Sequence, residues 1–314
     1  MPIVNTQVPI TAESCDQMIQ EIVKAYPFCR SELLTSTAFQ RPIRTLVIGQ
    51  GPRKVIYSAA HHANEWITAL VLLKFAEDLA EAIASGGEIF GVSGEVISQA
   101  ATIYMVPMVD PDGVDLVVGA IAPGEIQYNL AQSLADNYPT ISFPDGWKAN
   151  LLGVDLNLQY PAGWLQAREI KFSLGYTKPG PRDYVGRAPL NQLETRALAG
   201  YTEFINPELV LAYHSQGKEI YWQFQDYEVP GAKELGELFA QVSGYTLAEV
   251  PFNSSFAGYK DWFIQNFRKP GYTIEVGQGT NPLPISQFDE IYQDNLGILV
   301  VGALGRLPEN FNVS

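Results

Sequence analysis

Short apolar runs of strand length alternate with helix-length segments along most of the chain. That alternation points to an α/β fold, because a sheet whose strands are separated by helices must be covered by them. Strands are expected at 44–49, 54–60, 101–109, 209–213 and 272–276, and helices at 14–26, 67–84, 190–205, 231–242, 259–266 and 286–304. Ser14 is expected to cap the first helix, with Gln17 completing a capping box and Pro27 ending it. Gly86-Gly87 closes the second helix. The first two strands flank Gln50-Gly51-Pro52, a hairpin signal, so the sheet is expected to be mixed. Asp110-Pro111-Asp112-Gly113 reads as a turn. Residues 119–186 are rich in Gly, Pro, Asn and aromatics without clear periodicity, which marks a functional region rather than a linker. No repeat or linker-like break divides the chain, and a single domain over 1–314 is expected, with helix 14–26 packed on it.

Composition narrows the function classes. A hydrophobic fraction of 46% supplies a core and excludes intrinsic disorder. The net charge of −14 argues against a nucleic-acid partner, whose binding needs Lys and Arg on phosphates. Two cysteines, Cys15 and Cys29, are too few for a disulfide scaffold or a cysteine-rich zinc module, and read as buried apolar side chains. No apolar stretch reaches the ~18–20 residues of a membrane span. The N-terminal sequence lacks the basic and apolar regions of a secretory signal, so a cytoplasmic location is expected. Lys148 ends a long run without cations that begins after Lys74.

The chain has only three histidines. His61 and His62 follow directly on an expected strand, and Glu65 comes three residues after His62. At a strand-to-helix junction a turn can aim an imidazole and a carboxylate at one point beyond the sheet's carboxyl edge, where α/β folds place ligands. On spacing alone the Glu also fits a helix N-terminal acid favoured by the dipole. His214 ends another apolar strand. Two histidine sites and one Glu make the three protein ligands of a catalytic zinc with an open fourth position. Hydrolysis there needs a separate carboxylate as base, and Glu275, inside a strand-like run, is the best candidate; a solvent-facing strand acid fits the spacing equally.

Five ordered motifs carry a resemblance. His62-Ala-Asn-Glu65-Trp-Ile-Thr68, Asp110-Pro-Asp-Gly113, Gly153-Val-Asp-Leu-Asn157, His214-Ser215 and Tyr272-Thr-Ile-Glu275 resemble the motifs of the zinc carboxypeptidase family. The resemblance implies one mixed eight-stranded sheet flanked by helices, one Zn²⁺ held by His62, Glu65 and His214, and Glu275 as general base. Within the family the chain is similar to the γ-D-glutamyl-L-diamino-acid peptidases, which cut the D-Glu–diaminopimelate bond of cell-wall peptides. Trp147-Lys-Ala-Asn150, Val154-Asp-Leu-Asn157, Tyr160-Pro-Ala-Gly163, Pro181-Arg-Asp183, the run from Ala257 to Ile264 and Asn281-Pro-Leu-Pro284 carry that likeness. Cell-wall-binding repeats, frequent in such relatives, are not seen, which favours soluble fragments as substrates.

The departures are informative. Leu158 stands where ordinary carboxypeptidases have the arginine that clamps a C-terminal carboxylate, and leucine forms no charge-assisted pair. Lys148 falls at the place of the oxyanion-stabilising arginine and offers a point charge instead of a planar fork. Asn64 replaces a second arginine. Lys260 maps to the floor of the pocket that reads the residue after the cleaved bond, where a lysine asks for a carboxylate such as the distal one of diaminopimelate. The family's mobile tyrosine falls near Asn253, so Glu275 itself is expected to protonate the leaving amine. Asn157, Lys260, Tyr259, Asn64 and Ser215 are expected to bind substrate, a peptide or muropeptide. Rival readings are a conventional metallocarboxypeptidase, a zinc acyl-amino-acid deacylase, and a zinc-binding module without turnover. The oligomeric state is left open.

Overall fold

The computed structural model describes residues 2–308. Strands β1 (Arg30–Ser36), β2 (Pro42–Gly49) and β3 (Arg53–Ala59) come first, and β4 (Glu88–Ile89) and β5 (Val92–Ser93) pair as a separate ribbon. With β6 (Ala101–Val106), β7 (Leu209–His214), β8 (Glu219–Tyr221), β9 (Thr246–Ala248) and β10 (Gly271–Glu275), the first three build one eight-stranded sheet. Its order is β1-β2-β6-β3-β7-β10-β8-β9. The central strands β6, β3, β7 and β10 run parallel, while β1–β2, β2–β6 and β8–β10 are antiparallel. The sheet is mixed and eight-stranded, as expected.

Both faces are covered. The helices are α1 (Ala12–Ala25), α2 (Ile67–Ser85), α3 (Gly94–Ala100), α4 (Pro111–Val117), α5 (Ile126–Ala135), α6 (Trp164–Ser173), α7 (Leu193–Ile205), α8 (Ala232–Ser243), α9 (Tyr259–Phe267) and α10 (Phe288–Leu304). Alternate residues of β3 separate the layers: Tyr57 and Ala59 pack with α1, α2, α8 and α10, and Ile56 with α7 and α9. Every residue of β6 and β7 is buried, the continuous apolar pattern of strands covered on two sides. Among the described residues, no helix is long and apolar enough to cross a membrane.

The expected hairpin at Gln50-Gly51-Pro52 does not form. β6 lies between β2 and β3 and pairs with both, antiparallel to the first and parallel to the second. A strand–turn–strand pattern is the same for neighbours and for strands split by a third. Here the backbone N–H groups of Gln50 and Gly51 donate to Ser98 O at 2.9 and 3.0 Å, which pins the connection against the start of β6.

Three local expectations also change. The first helix is capped by Thr11, whose hydroxyl accepts from Ser14 N–H while the Ser14 hydroxyl receives Thr11 N–H; Gln17 bonds Glu13 instead. Asp110 is no turn but the N-cap of α4, its carboxylate accepting from Gly113 N–H at 3.0 Å with Pro111 opening the helix. The irregular region from 119 to 186 contains α5 and α6. Strand β1 was not foreseen, because half-exposed Arg30–Ser36 has no clean alternation.

Candidate active site

The parallel strands β3, β7 and β10 are neighbours, so their carboxyl ends form a row. His62 follows β3, His214 ends β7 and Glu275 ends β10. Glu65 closes the single helical turn Ala63–Glu65 that follows His62. The junction is held by Thr68, whose hydroxyl accepts from Ala60 N–H at 3.0 Å and donates to Glu65 O at 2.7 Å.

Nδ1 of His62 lies 2.9 Å from Oε1 of Glu65, and Nδ1 of His214 lies 2.9 Å from Oε2. The two Nδ1 atoms are 3.2 Å apart, and ligand atoms of the three residues all lie within 4.8 Å of one another. All three side chains are buried. Two imidazole nitrogens and a carboxylate converging on one point make a donor set that suits Zn²⁺, and three ligands leave a position open. Behind them, Nε2 of His62 meets Oδ1 of Asp155 at 3.2 Å, the outer carboxylate that orients a ligating imidazole. Oε2 of Glu65 also accepts from Ser215 N–H at 3.2 Å.

Electrostatics bind the cluster together. Burial opposes ionisation of Glu65, yet His62, Lys148 and His214 hold its carboxyl well below the usual range. Burial likewise works against Asp155, but His62 and then Lys148 and Lys171 keep it ionised. Burial disfavours the His62 cation, but Glu65 and Asp155 push it up to about 9 in the metal-free chain. Burial and then repulsion from Glu65 push Glu275 up to about 8. A carboxyl so poised exchanges protons near neutrality.

A cavity of about 260 Å³ opens beside the row. Of the expected site residues, His62, His214, Lys148, Asn157, Lys260 and Glu275 line it, and so does Leu158. Lys148 Nζ lies 3.0 Å from Glu65 Oε1, beside the donor set. Lys260 is 4% exposed rather than a surface lysine. Its ammonium contacts Asp261 Oδ1 at 2.5 Å and donates to Gln223 O at 2.6 Å. Asn157 is fixed by its Oδ1, which accepts from Tyr259 N–H at 3.0 Å.

Three expected substrate-binding residues are placed off the cavity wall. The Tyr259 ring is fully buried beside His61 and its hydroxyl meets Thr202 Oγ1 at 2.8 Å, so only its backbone serves the site. Asn64 is buried and donates to Asp145 O at 3.0 Å. Ser215 bonds Asn281 with its hydroxyl and Glu65 with its N–H. They brace the site from behind. Not foreseen as site residues were Asp155, Lys171, Arg182, Asp183, Tyr221 and Asp261, all on the cavity wall. Asp155, Arg182, Asp183 and Asp261 sit in motifs that carried the narrower likeness, which was the available signal.

Comparison with known proteins agrees with this geometry. The zinc carboxypeptidase family model matches residues 15–297. The chain is 43% identical over 284 residues to γ-D-glutamyl-L-diamino acid endopeptidase 1 of Lysinibacillus sphaericus, covering 90% of this chain and 69% of that protein. Bovine thrombin-activatable fibrinolysis inhibitor superposes with a TM-score of 0.71 at 15% identity, covering 95% of this chain and 97% of that one. The murein-tripeptide amidase MpaA of Escherichia coli O157 gives 0.53 at 18% identity, over 86% and 91% of the two chains.

Proposed function

The chain belongs to the zinc carboxypeptidase family, and on that premise we propose that this zinc metallopeptidase hydrolyses the γ-D-glutamyl–diaminopimelate bond of peptidoglycan-derived peptides. The observation that carries the reading is the row His62–Glu65–His214 with Glu275 beside it, opening on a charged cavity that has Leu158 in place of a carboxylate-clamping arginine. His62, Glu65 and His214 would hold the metal. Zinc at such a site polarises a scissile carbonyl and lowers the pKa of water towards ~7.

The chain's own residues then divide the work. Glu275, at the end of β10 beside that row, takes the proton of the attacking water and returns it to the leaving amine. Lys148 faces the charge that develops on the carbonyl oxygen. Asn157, held by the backbone of Tyr259, orients the peptide. Lys260 and Asp261 place an ammonium beside a carboxylate on the wall, complementary to the distal carbon of diaminopimelate, which carries one of each.

The test is to incubate the zinc-loaded protein with L-Ala-γ-D-Glu-diaminopimelate and with hippuryl-type peptides, and to identify the released amine. Release of diaminopimelate from the first alone is expected. Release from hippuryl peptides alone would mean a conventional carboxypeptidase, and silence on both with zinc bound would mean a binding module.

A further inference from the structure

Four cations line the cavity, and three of them are already engaged or enclosed. The side chains of Lys148, Lys171 and Lys260 are 18%, 10% and 4% exposed, and each ammonium sits against a carboxylate. Arg182 differs, with a side chain 41% exposed. Its Nε donates to Asp183 Oδ2 at 2.7 Å, and no described residue is recorded on its two terminal nitrogens. Asp183 is itself held by Lys171 at 2.6 Å, and its N–H donates to Asp155 Oδ2 at 3.2 Å. The backbone beside it is equally fixed: the N–H groups of Lys148 and Ala149 donate to Pro181 O at 2.7 and 2.9 Å. The guanidinium is therefore anchored through Nε on the cavity wall, which leaves its two terminal nitrogens for a bidentate carboxylate.

Its position in the row matters. The residues on either side of Arg182 are tied to the His62 flank: Pro181 O accepts from Lys148 N–H, and Asp183 N–H donates to Asp155, which itself meets His62. Lys260 and Asp261 stand on α9, tied to the segment after β8, on the flank of Glu275. A γ-glutamyl bond leaves the α-carboxylate of the glutamate free on the acyl side of the scissile carbonyl, a charge that an ordinary peptide bond does not carry there. If diaminopimelate is read on the α9 flank, the acyl residue extends along the Arg182 flank.

We infer that Arg182 is a specificity-determining residue that binds the free α-carboxylate of the γ-linked acidic residue. The inference rests on the proposed γ-glutamyl substrate and extends it to the other side of the cut. It predicts discrimination against the same peptide in which that carboxylate is a carboxamide, because the amide offers no charge to the guanidinium.

The experiment compares kcat and KM of the zinc-loaded chain on L-Ala-γ-D-Glu-diaminopimelate and on its α-carboxamide (isoglutaminyl) counterpart. The native protein is expected to favour the carboxylate peptide by ~10–100-fold, the worth of a hydrogen bond to a charged group. Arg182→Met is expected to lose most of that factor on the carboxylate peptide, chiefly through KM. Its loss on the carboxamide peptide should be at least about fivefold smaller. Arg182→Lys should recover part of the preference. Zinc content and thermal midpoint confirm that the variants are folded. Equal cleavage of both peptides by the native protein, or equal losses in Arg182→Met, overturns the inference while leaving the γ-glutamyl reading intact. Cleavage of neither peptide overturns that reading and the inference with it.

Discussion

Glu275 stands directly opposite His214 in the parallel register of β10 and β7. The proposed base and a proposed metal ligand are thus spaced by a backbone ladder rather than by side-chain packing, and Val276 N–H donates to His214 O at 2.8 Å to continue it. Replacing the carboxyl alone should leave that ladder intact. Glu275→Gln is expected to lower kcat by about 10²–10⁴-fold, the usual worth of general acid–base catalysis, with zinc content unchanged. Steady-state kinetics with metal analysis checks this; lost zinc would show that Glu275 holds the site rather than works in it.

Zinc dependence should follow the donor set. Dialysis against a chelator is expected to abolish hydrolysis and added Zn²⁺ to restore it, while His214→Ala leaves the protein without stoichiometric metal. Asp155→Asn keeps all three ligands but weakens the support behind His62, and a 10–100-fold loss of zinc affinity is the usual cost of such a change. A metal-competition titration reads it directly.

Lys260→Met removes the ammonium from the cavity wall and leaves Asp261 without its cation, held among the described residues only by Gly258 N–H. Cleavage of diaminopimelate peptides is expected to fall at least tenfold, mainly in KM, by the ~1.5–3 kcal/mol of a charged hydrogen bond. An unchanged KM would remove Lys260 from substrate recognition.

The metal-free protein should lose stability as pH rises. Glu275 is raised to about 8 and His62 to about 9 in the folded chain. A raised group favours folding while it stays protonated; its contribution is full below the ordinary value and fades as pH climbs through the folded one. The window therefore runs from about pH 4.5 to 8 for Glu275 and about 6.5 to 9 for His62, with the same sign for both. Thermal midpoints in chelator should fall between pH 6 and 9, more steeply than in Glu275→Gln. Saturating zinc should flatten or reverse the trend, because metal binding favours deprotonated ligands.

Gly51→Ala tests the fold rather than the chemistry. An added Cβ there would lie 2.2 Å from the carbonyl carbon of Ala100 and 2.3 Å from the nitrogen of Ala101, backbone that cannot swing aside. A loss of roughly 2–4 kcal/mol is expected, the scale of overpacking and backbone strain, read by urea denaturation. A neutral result would show that the β2–β3 connection is free of the β6 entry.

That His62, Glu65 and His214 come together was legible because histidine is scarce in this chain and both of these lie at the ends of apolar strands. Zinc followed from those residue types, while the eight-stranded count entered with the family motifs. What escaped were relationships between distant segments. No local pattern says that β6 enters between β2 and β3, since hydrophobic alternation reports burial and not partners. Asp155 lies 93 residues from His62, and nothing in its own neighbourhood announces the pairing. Arg182 owes its place to the bonds that Pro181 O receives from Lys148 and Ala149, inside a stretch without periodicity. Tyr259 belongs to the run from Ala257 to Ile264 that carried the narrower likeness, yet α9 turns its ring into the core and offers only its N–H.

The insertion of β6 has a consequence for the order in which the chain can be made. β3 carries the approach to His62 and Glu65, but its two sheet neighbours begin at Ala101 and Leu209. A chain emerging from the ribosome presents β3 with one edge unpaired until β7 arrives, an aggregation hazard for an apolar strand. The same edge lacks His214 until then, so His62, Glu65 and His214 cannot come together before β7 has joined the sheet. A chain truncated before Leu209 would therefore keep an apolar strand edge exposed and lack one of the three residues proposed to hold the metal.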